Sequence, residues 1–117
     1  MAKHLDSGRQ GELLAVEYLK AAGYEILYAN WRYKYWEVDV IAQDAGSLAF
    51  VEVKSRKSIL FGEPSDFVDV KKQQNLIQAA EAYIELYNYE GEIRFDIVSV
   101  YLDSTKIELI KDAFWSN

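Results

Sequence analysis

The sequence predicts a small α/β domain built on a central mixed β-sheet, and three observations predict it. Two segments carry apolar residues at helical spacing, and five runs are rich in aromatic and β-branched residues. The elements follow in the order α-β-β-β-α-β-β, which sets two amphipathic helices against one sheet. With 117 residues, half of them apolar, the chain is expected to form one domain, 1–117, with a core of its own.

Ser7 with Gln10 three residues later has the form of a capping box, and Leu14, Tyr18, Ala21 and Ala22 recur at helical spacing until Gly23. The first helix is therefore predicted over about 8–22. The runs YEILYANW, YWEVDVIAQ and SLAFVEVKSR follow as three strands. SILFGEPSDF, with Gly62 and the only proline, Pro64, reads as a loop. Leu76, Ala80, Tyr83, Ile84 and Tyr87 form one apolar stripe, so a second helix starts near Asp69 and ends around Asn88 to Gly91. IRFDIVSVYL and KIELIK are two closing strands parted by a turn at Asp103 and Ser104, with Arg94 and Asp96 on the first of them read as a structural pair or as mere same-face ornament.

Bulk properties bound the function. There is no cysteine, so disulfides and thiolate metal sites are excluded. No apolar run has the length of a membrane span and MAKHLDSGRQ lacks the apolar core of a secretory signal, so no membrane partner and a cytoplasmic location are expected. A net charge of −6 argues against broad, sequence-independent binding of nucleic acid, because that affinity comes from basic groups displacing phosphate counterions. Basic residues are instead local: Lys3, His4 and Arg9; Arg32 and Lys34; Lys54, Arg56 and Lys57; Lys71 and Lys72. Trp31, Tyr33, Tyr35 and Trp36 are aromatics able to stack bases, although such rings more often serve a core or an interface.

The central hairpin holds the chemistry. A turn at DAGS, 44–47, gives paired residue numbers that sum to 91, so Asp39 faces Glu52 and Glu37 faces Lys54. Opposed side chains have Cβ atoms roughly 5 Å apart, and like charges there are destabilising unless neutralised. Glu37 and Lys54 can neutralise each other, whereas Asp39 and Glu52, set among Val38, Val40, Ile41, Val51 and Val53, cannot. Such a pair either shares a proton or binds a divalent cation, and an all-oxygen site suits Mg²⁺ or Mn²⁺. The chemistry that needs two carboxylates, a metal and the adjacent ammonium of Lys54 is phosphodiester hydrolysis.

Asp39, twelve residues, then Glu52-Val53-Lys54 resembles the PD-(D/E)XK signature of restriction-endonuclease-like nucleases, with Val38 where the name's proline stands. GRQGELLAVEYLKAAGY, WEVDVIA, FVEVKSR, FGEPSDFVDVKKQQNLIQAA, IRFDIVSV and IKDAFW together resemble the YraN-like family of small bacterial nucleases, and the layout is similar to archaeal Holliday-junction resolvases. The resemblance implies a restriction-endonuclease-like fold, with Glu12 joining Asp39 and Glu52 near the metal and Lys72 approaching the phosphate. Trp36 departs from the glycine usual there, and a ring in that place would narrow access for duplex. The expected function is metal-dependent hydrolysis of DNA, or of branched or single-stranded nucleic acid, by Asp39, Glu52, Lys54 and Glu12. Arg32, Arg56 and Lys72 would contact the substrate, and a homodimer is compatible. The rivals are a nucleic-acid-binding module acting through a partner in repair or recombination, and a structural or dimerisation protein.

Overall fold

The computed structural model describes residues 7–56, 69–104 and 106–115. The predicted loop over 58–67, the side chain of Ser7, and Lys3, His4 and Lys57 lie outside the described residues. In chain order the elements are α1 (Ser7–Ala21), β1 (Glu25–Tyr33), β2 (Trp36–Asp44), β3 (Ser47–Arg56), α2 (Val70–Tyr87), β4 (Glu92–Tyr101) and β5 (Lys106–Phe114). The predicted α-β-β-β-α-β-β order holds, with β1 and β5 each extending further than the sequence patterns suggested.

One five-stranded sheet runs in the order β1-β2-β3-β4-β5. Neighbours joined by short turns are antiparallel, while β3 and β4, joined through α2, pair in parallel, so the sheet is mixed. Successive β3 residues alternate between the faces. Phe50 packs with Leu76, Ala80 and Tyr83 of α2, and Val51 packs with Ala15 and Leu19 of α1. Each face of the sheet thus carries one helix.

α2 is bounded by local chemistry. The Asp69 carboxylate accepts from Lys72 N–H at 2.8 Å as N-cap, and Asn88 ends the helix in the left-handed region at φ 54°. Leu76, Ala79, Ala80 and Tyr83 are its buried face, so Ile84 and Tyr87 of the predicted stripe sit at its margin.

The predicted stripe on α1 is corrected. Gly11, Ala15 and Leu19 are the buried positions, whereas Tyr18, Ala21 and Ala22 are exposed. Small residues decide this: a Cβ at Gly11 would overlap the Oγ of Ser55, so α1 lies directly on β3 there. Among the described residues no helix is long and apolar enough to cross a membrane.

A buried polar network closes the far end of the β2–β3 hairpin. The Arg94 guanidinium donates to both oxygens of fully buried Asp96 at 2.9 and 2.8 Å, and to Asp44 at 2.8 Å. Tyr24 Oη donates to Asp96 at 2.7 Å, Lys111 Nζ to Asp44 at 2.9 Å, and Asp112 N–H to Asp96 at 2.9 Å. Arg94 and Asp96 are thus the core of a network joining β2, β4, β5 and the α1–β1 connection, wider than a pair. The Lys111 ammonium, with Arg94, holds the Asp44 carboxyl below its ordinary range, and burial beside Asp96 pushes the Tyr24 phenol well up.

Candidate functional site: a carboxylate pocket where β2 leaves β3

The predicted register is present as far as it goes. The β2–β3 ladder runs from Asp44↔Ser47 to Val40↔Val51, every pair summing to 91, and stops there. Asp39 and Glu52 are therefore the first positions beyond the ladder. Asp39 Oδ2 instead accepts from the backbone N–H of Val53 at 2.8 Å, holding its carboxylate across the opening.

A change of phase in β1 and β2 accompanies the opening. Tyr28 and Trp31, three residues apart, both pack on Tyr83 of α2, at ring distances of 5.9 and 5.5 Å. Their partners Ile41 and Val38, also three apart, lie in that same cluster, whereas Val40 lies in the cluster on α1. Asn30, between Ala29 and Trp31, takes φ 60°, and Asp39 lies opposite it between Val40 and Val38. Val38 and Val40 thus occupy opposite faces, so side chains do not alternate simply through Asp39.

Asp39 and Glu52 line one pocket of about 490 Å³ on the α2 face. Tyr35, Trp36 and Glu37 form its rim from the β1–β2 turn, and Lys72, Asn75, Leu76 and Gln78 form its wall from α2. Burial, the Glu52 charge and, more weakly, Glu12 and Glu37 push the Asp39 carboxyl up to about 7, opposed by the Val53 N–H. Glu52 is also raised, mainly by burial, with Lys72 and Lys54 opposing. Lys54 is lowered, first by burial and then by the Lys72 and Arg56 charges.

The predicted residues separate into groups. Asp39, Glu52 and Lys72 share the pocket, and Lys72 Nζ stands 3.9 Å from Glu52. Glu12 and Lys54 lie outside the lining, near enough for their charges to act on Glu52. Arg56 ends β3, where its carbonyl accepts from Leu102 N–H at 2.8 Å. Arg32 pairs with Glu37 at 3.2 Å, which corrects the expected neutralisation of Glu37 by Lys54: the ladder that would have opposed them ends at Val40. Among the described residues no cluster of three or more His, Cys, Asp or Glu could hold a metal, so a cation here would rest on two carboxylates.

Sequence reasoning missed Asn75 and Gln78, whose only signal is the i, i+3 step from Lys72 to Asn75 and on to Gln78 along one face of α2.

Residues 11–100 match the family model described as "Uncharacterised protein family UPF0102". The chain is 47% identical over 117 residues to a UPF0102 protein of Flavobacterium psychrophilum and 46% identical over 117 residues to one of Christiangramia forsetii, each alignment covering 98% of both chains. It is 46% identical over 113 residues to a UPF0102 protein of Caldicellulosiruptor bescii, covering 92% of this chain and 95% of that one. A match over most of the sequence and relatives of the same length agree, and the chain belongs to the UPF0102 family.

Proposed function

We propose that this protein is a metal-dependent nuclease of restriction-endonuclease-like fold, hydrolysing phosphodiester bonds of DNA or of branched or single-stranded nucleic acid. One observation carries the reading: two carboxylates, both raised above their ordinary range, share a pocket with an ammonium 3.9 Å from one of them. Burying two like charges together is unfavourable for the protein alone and is relieved by a divalent cation. The donor set fits Mg²⁺ or Mn²⁺, which take carboxylate oxygens and leave further positions to water and substrate phosphate.

Asp39 and Glu52 would hold the ion, with Asp39 oriented by the Val53 N–H. When bound, such an ion lowers the pKa of water and stabilises charge on phosphoryl oxygens. Lys54, its ammonium made easier to deprotonate by burial, serves the nucleophile by hydrogen bonding or proton transfer. Lys72 places positive charge at the pocket wall for the phosphate, and Arg32 and Arg56 take flanking phosphates. Glu12 adds negative charge that favours the cation.

A second reading, a nucleic-acid-binding module working through a partner, is favoured by the absence, among the described residues, of a cluster of three or more His, Cys, Asp or Glu side chains that could hold a metal. The deciding experiment incubates the protein with single-stranded, duplex and four-way-junction DNA, with and without Mn²⁺, beside Asp39→Asn and Lys54→Ala. Metal-dependent cutting lost in both variants supports the nuclease. Binding without cutting at any metal concentration supports the module.

A further inference from the structure

The β1–β2 turn presents two rings at the pocket rim. Lys34 and Tyr35 form a two-residue turn, with Lys34 at φ 56° and Tyr33 facing Trp36 across it. Tyr35 is 96% exposed and so contributes nothing to the core. Its ring lies edge-on to half-buried Trp36, with centroids 6.3 Å apart. Both rings line the carboxylate pocket, and Trp36 also lines an adjoining pocket of about 510 Å³, making one groove.

We propose that the Tyr35–Trp36 corner is a stacking platform for one unpaired nucleobase beside the scissile phosphate, which makes single-stranded nucleic acid the substrate class. The inference rests on the nuclease reading of the adjacent carboxylates. Three features carry it. Every base has a π-face that stacks on aromatic rings without regard to sequence, and the two rings share the pocket with both carboxylates. In a duplex those faces are already covered by neighbouring bases, so only an unpaired base can use the corner. The charges narrow the path: Lys72 marks the side for one phosphate strand, while beyond Trp36 the two carboxylates of Glu81 and Glu85 outnumber the single ammonium of Lys34 and leave little positive charge for a second.

The test measures binding of fluorescein-labelled oligothymidine and of a long linear duplex without loops or overhangs by anisotropy in EDTA, where metal-dependent cutting is suppressed. Tyr35→Ala should weaken single-strand binding about 5- to 160-fold and leave duplex binding unchanged. Tyr35→Phe should retain wild-type affinity, because the ring and not the hydroxyl acts. Quenching of indole fluorescence by oligothymidine should be reduced in Trp36→Phe. Equal single-strand affinity in wild type and Tyr35→Ala, or a preference of the wild type for duplex, overturns the platform. The two readings fail separately. Tyr35-dependent binding without Mn²⁺-dependent cutting supports the platform and sinks the nuclease. Single-strand cutting whose KM is unchanged in Tyr35→Ala leaves the nuclease standing and overturns the platform.

Discussion

Asp39 and Val53 are joined side chain to backbone, Oδ2 to N–H at 2.8 Å, at the first position where β2 and β3 cease to pair. The carboxylate replaces the missing strand partner and is thereby kept in a half-dry pocket beside a second carboxylate.

This arrangement makes the metal-free protein sensitive to pH. The Asp39 carboxyl rises from an ordinary 3.8 to about 7 on folding, so between those values the folded state binds more protons than the unfolded one. Stability from this group is thus lost as pH climbs from about 4 to 7 and stays lost above, by up to about 4 kcal/mol. In chelator, wild type should melt lower at pH 8 than at pH 5.5. Asp39→Asn keeps an acceptor for Val53 while removing the charge, and should flatten that dependence and abolish stabilisation by Mn²⁺. Thermal melts at the two pH values, with and without metal, check both; a variant still stabilised by Mn²⁺ would place the metal elsewhere.

Lys72 and a bound cation compete for Glu52. Removing the ammonium by Lys72→Ala should leave Mn²⁺ affinity unchanged or raise it a few-fold, because the exposed ion pair contributes little, on the order of 1 kcal/mol or less. Cleavage should nevertheless fall, since the phosphate loses a positive neighbour. Isothermal titration with Mn²⁺ beside a turnover assay separates the two effects, and a large loss of metal affinity would contradict the competition.

At Gly11 two local effects oppose each other. Gly11→Ala gains helix propensity of about 1 kcal/mol, yet its methyl would meet the Ser55 side chain. Overpacking of this kind costs about 1–3 kcal/mol, so urea denaturation should show a net loss, partly recovered in Gly11→Ala/Ser55→Ala. A more stable Gly11→Ala would mean that the Ser55 hydroxyl turns aside or α1 shifts over β3 at little cost.

The polar network carries the largest predicted loss. Arg94→Met leaves Asp96 and Asp44 buried without their shared cation and should destabilise by about 3–5 kcal/mol. Arg94→Met/Asp96→Asn should lose less than the two single changes summed. Strict additivity in denaturation would show that the groups do not act as a unit.

Much of this was legible in the sequence because it is local. Alternating Val51 and Val53, the Ala45–Gly46 turn and the α2 boundaries follow from period and turn chemistry, and with them the nearness of Asp39 to Glu52. The end of the ladder at Val40 was not legible, because it coincides with a left-handed residue, Asn30, in a strand whose residues read as ordinary. The α1 face was misjudged by size: Leu14 does pack against the core, but Tyr18 is exposed, and Gly11 and Ala15 take the centre of the face by allowing closer approach. The reach of Arg94 to Asp44 and Tyr24 is long-range in sequence and has no local pattern.

The parallel seam between β3 and β4 also bears on the order in which the molecule assembles. β1, β2 and β3 meet through turns of two residues, so this meander closes rapidly with little loss of chain entropy. Joining β3 to β4 requires bringing together segments separated by all of α2, and non-local closure of that kind governs folding rate. Asp39 and the Val53 N–H both belong to the early meander, whereas Ile97, beside Glu52 in the sheet, arrives only with the late seam. On this contact-order argument the two carboxylates come near each other before β4 covers them, and their charge conflict grows as that cover docks.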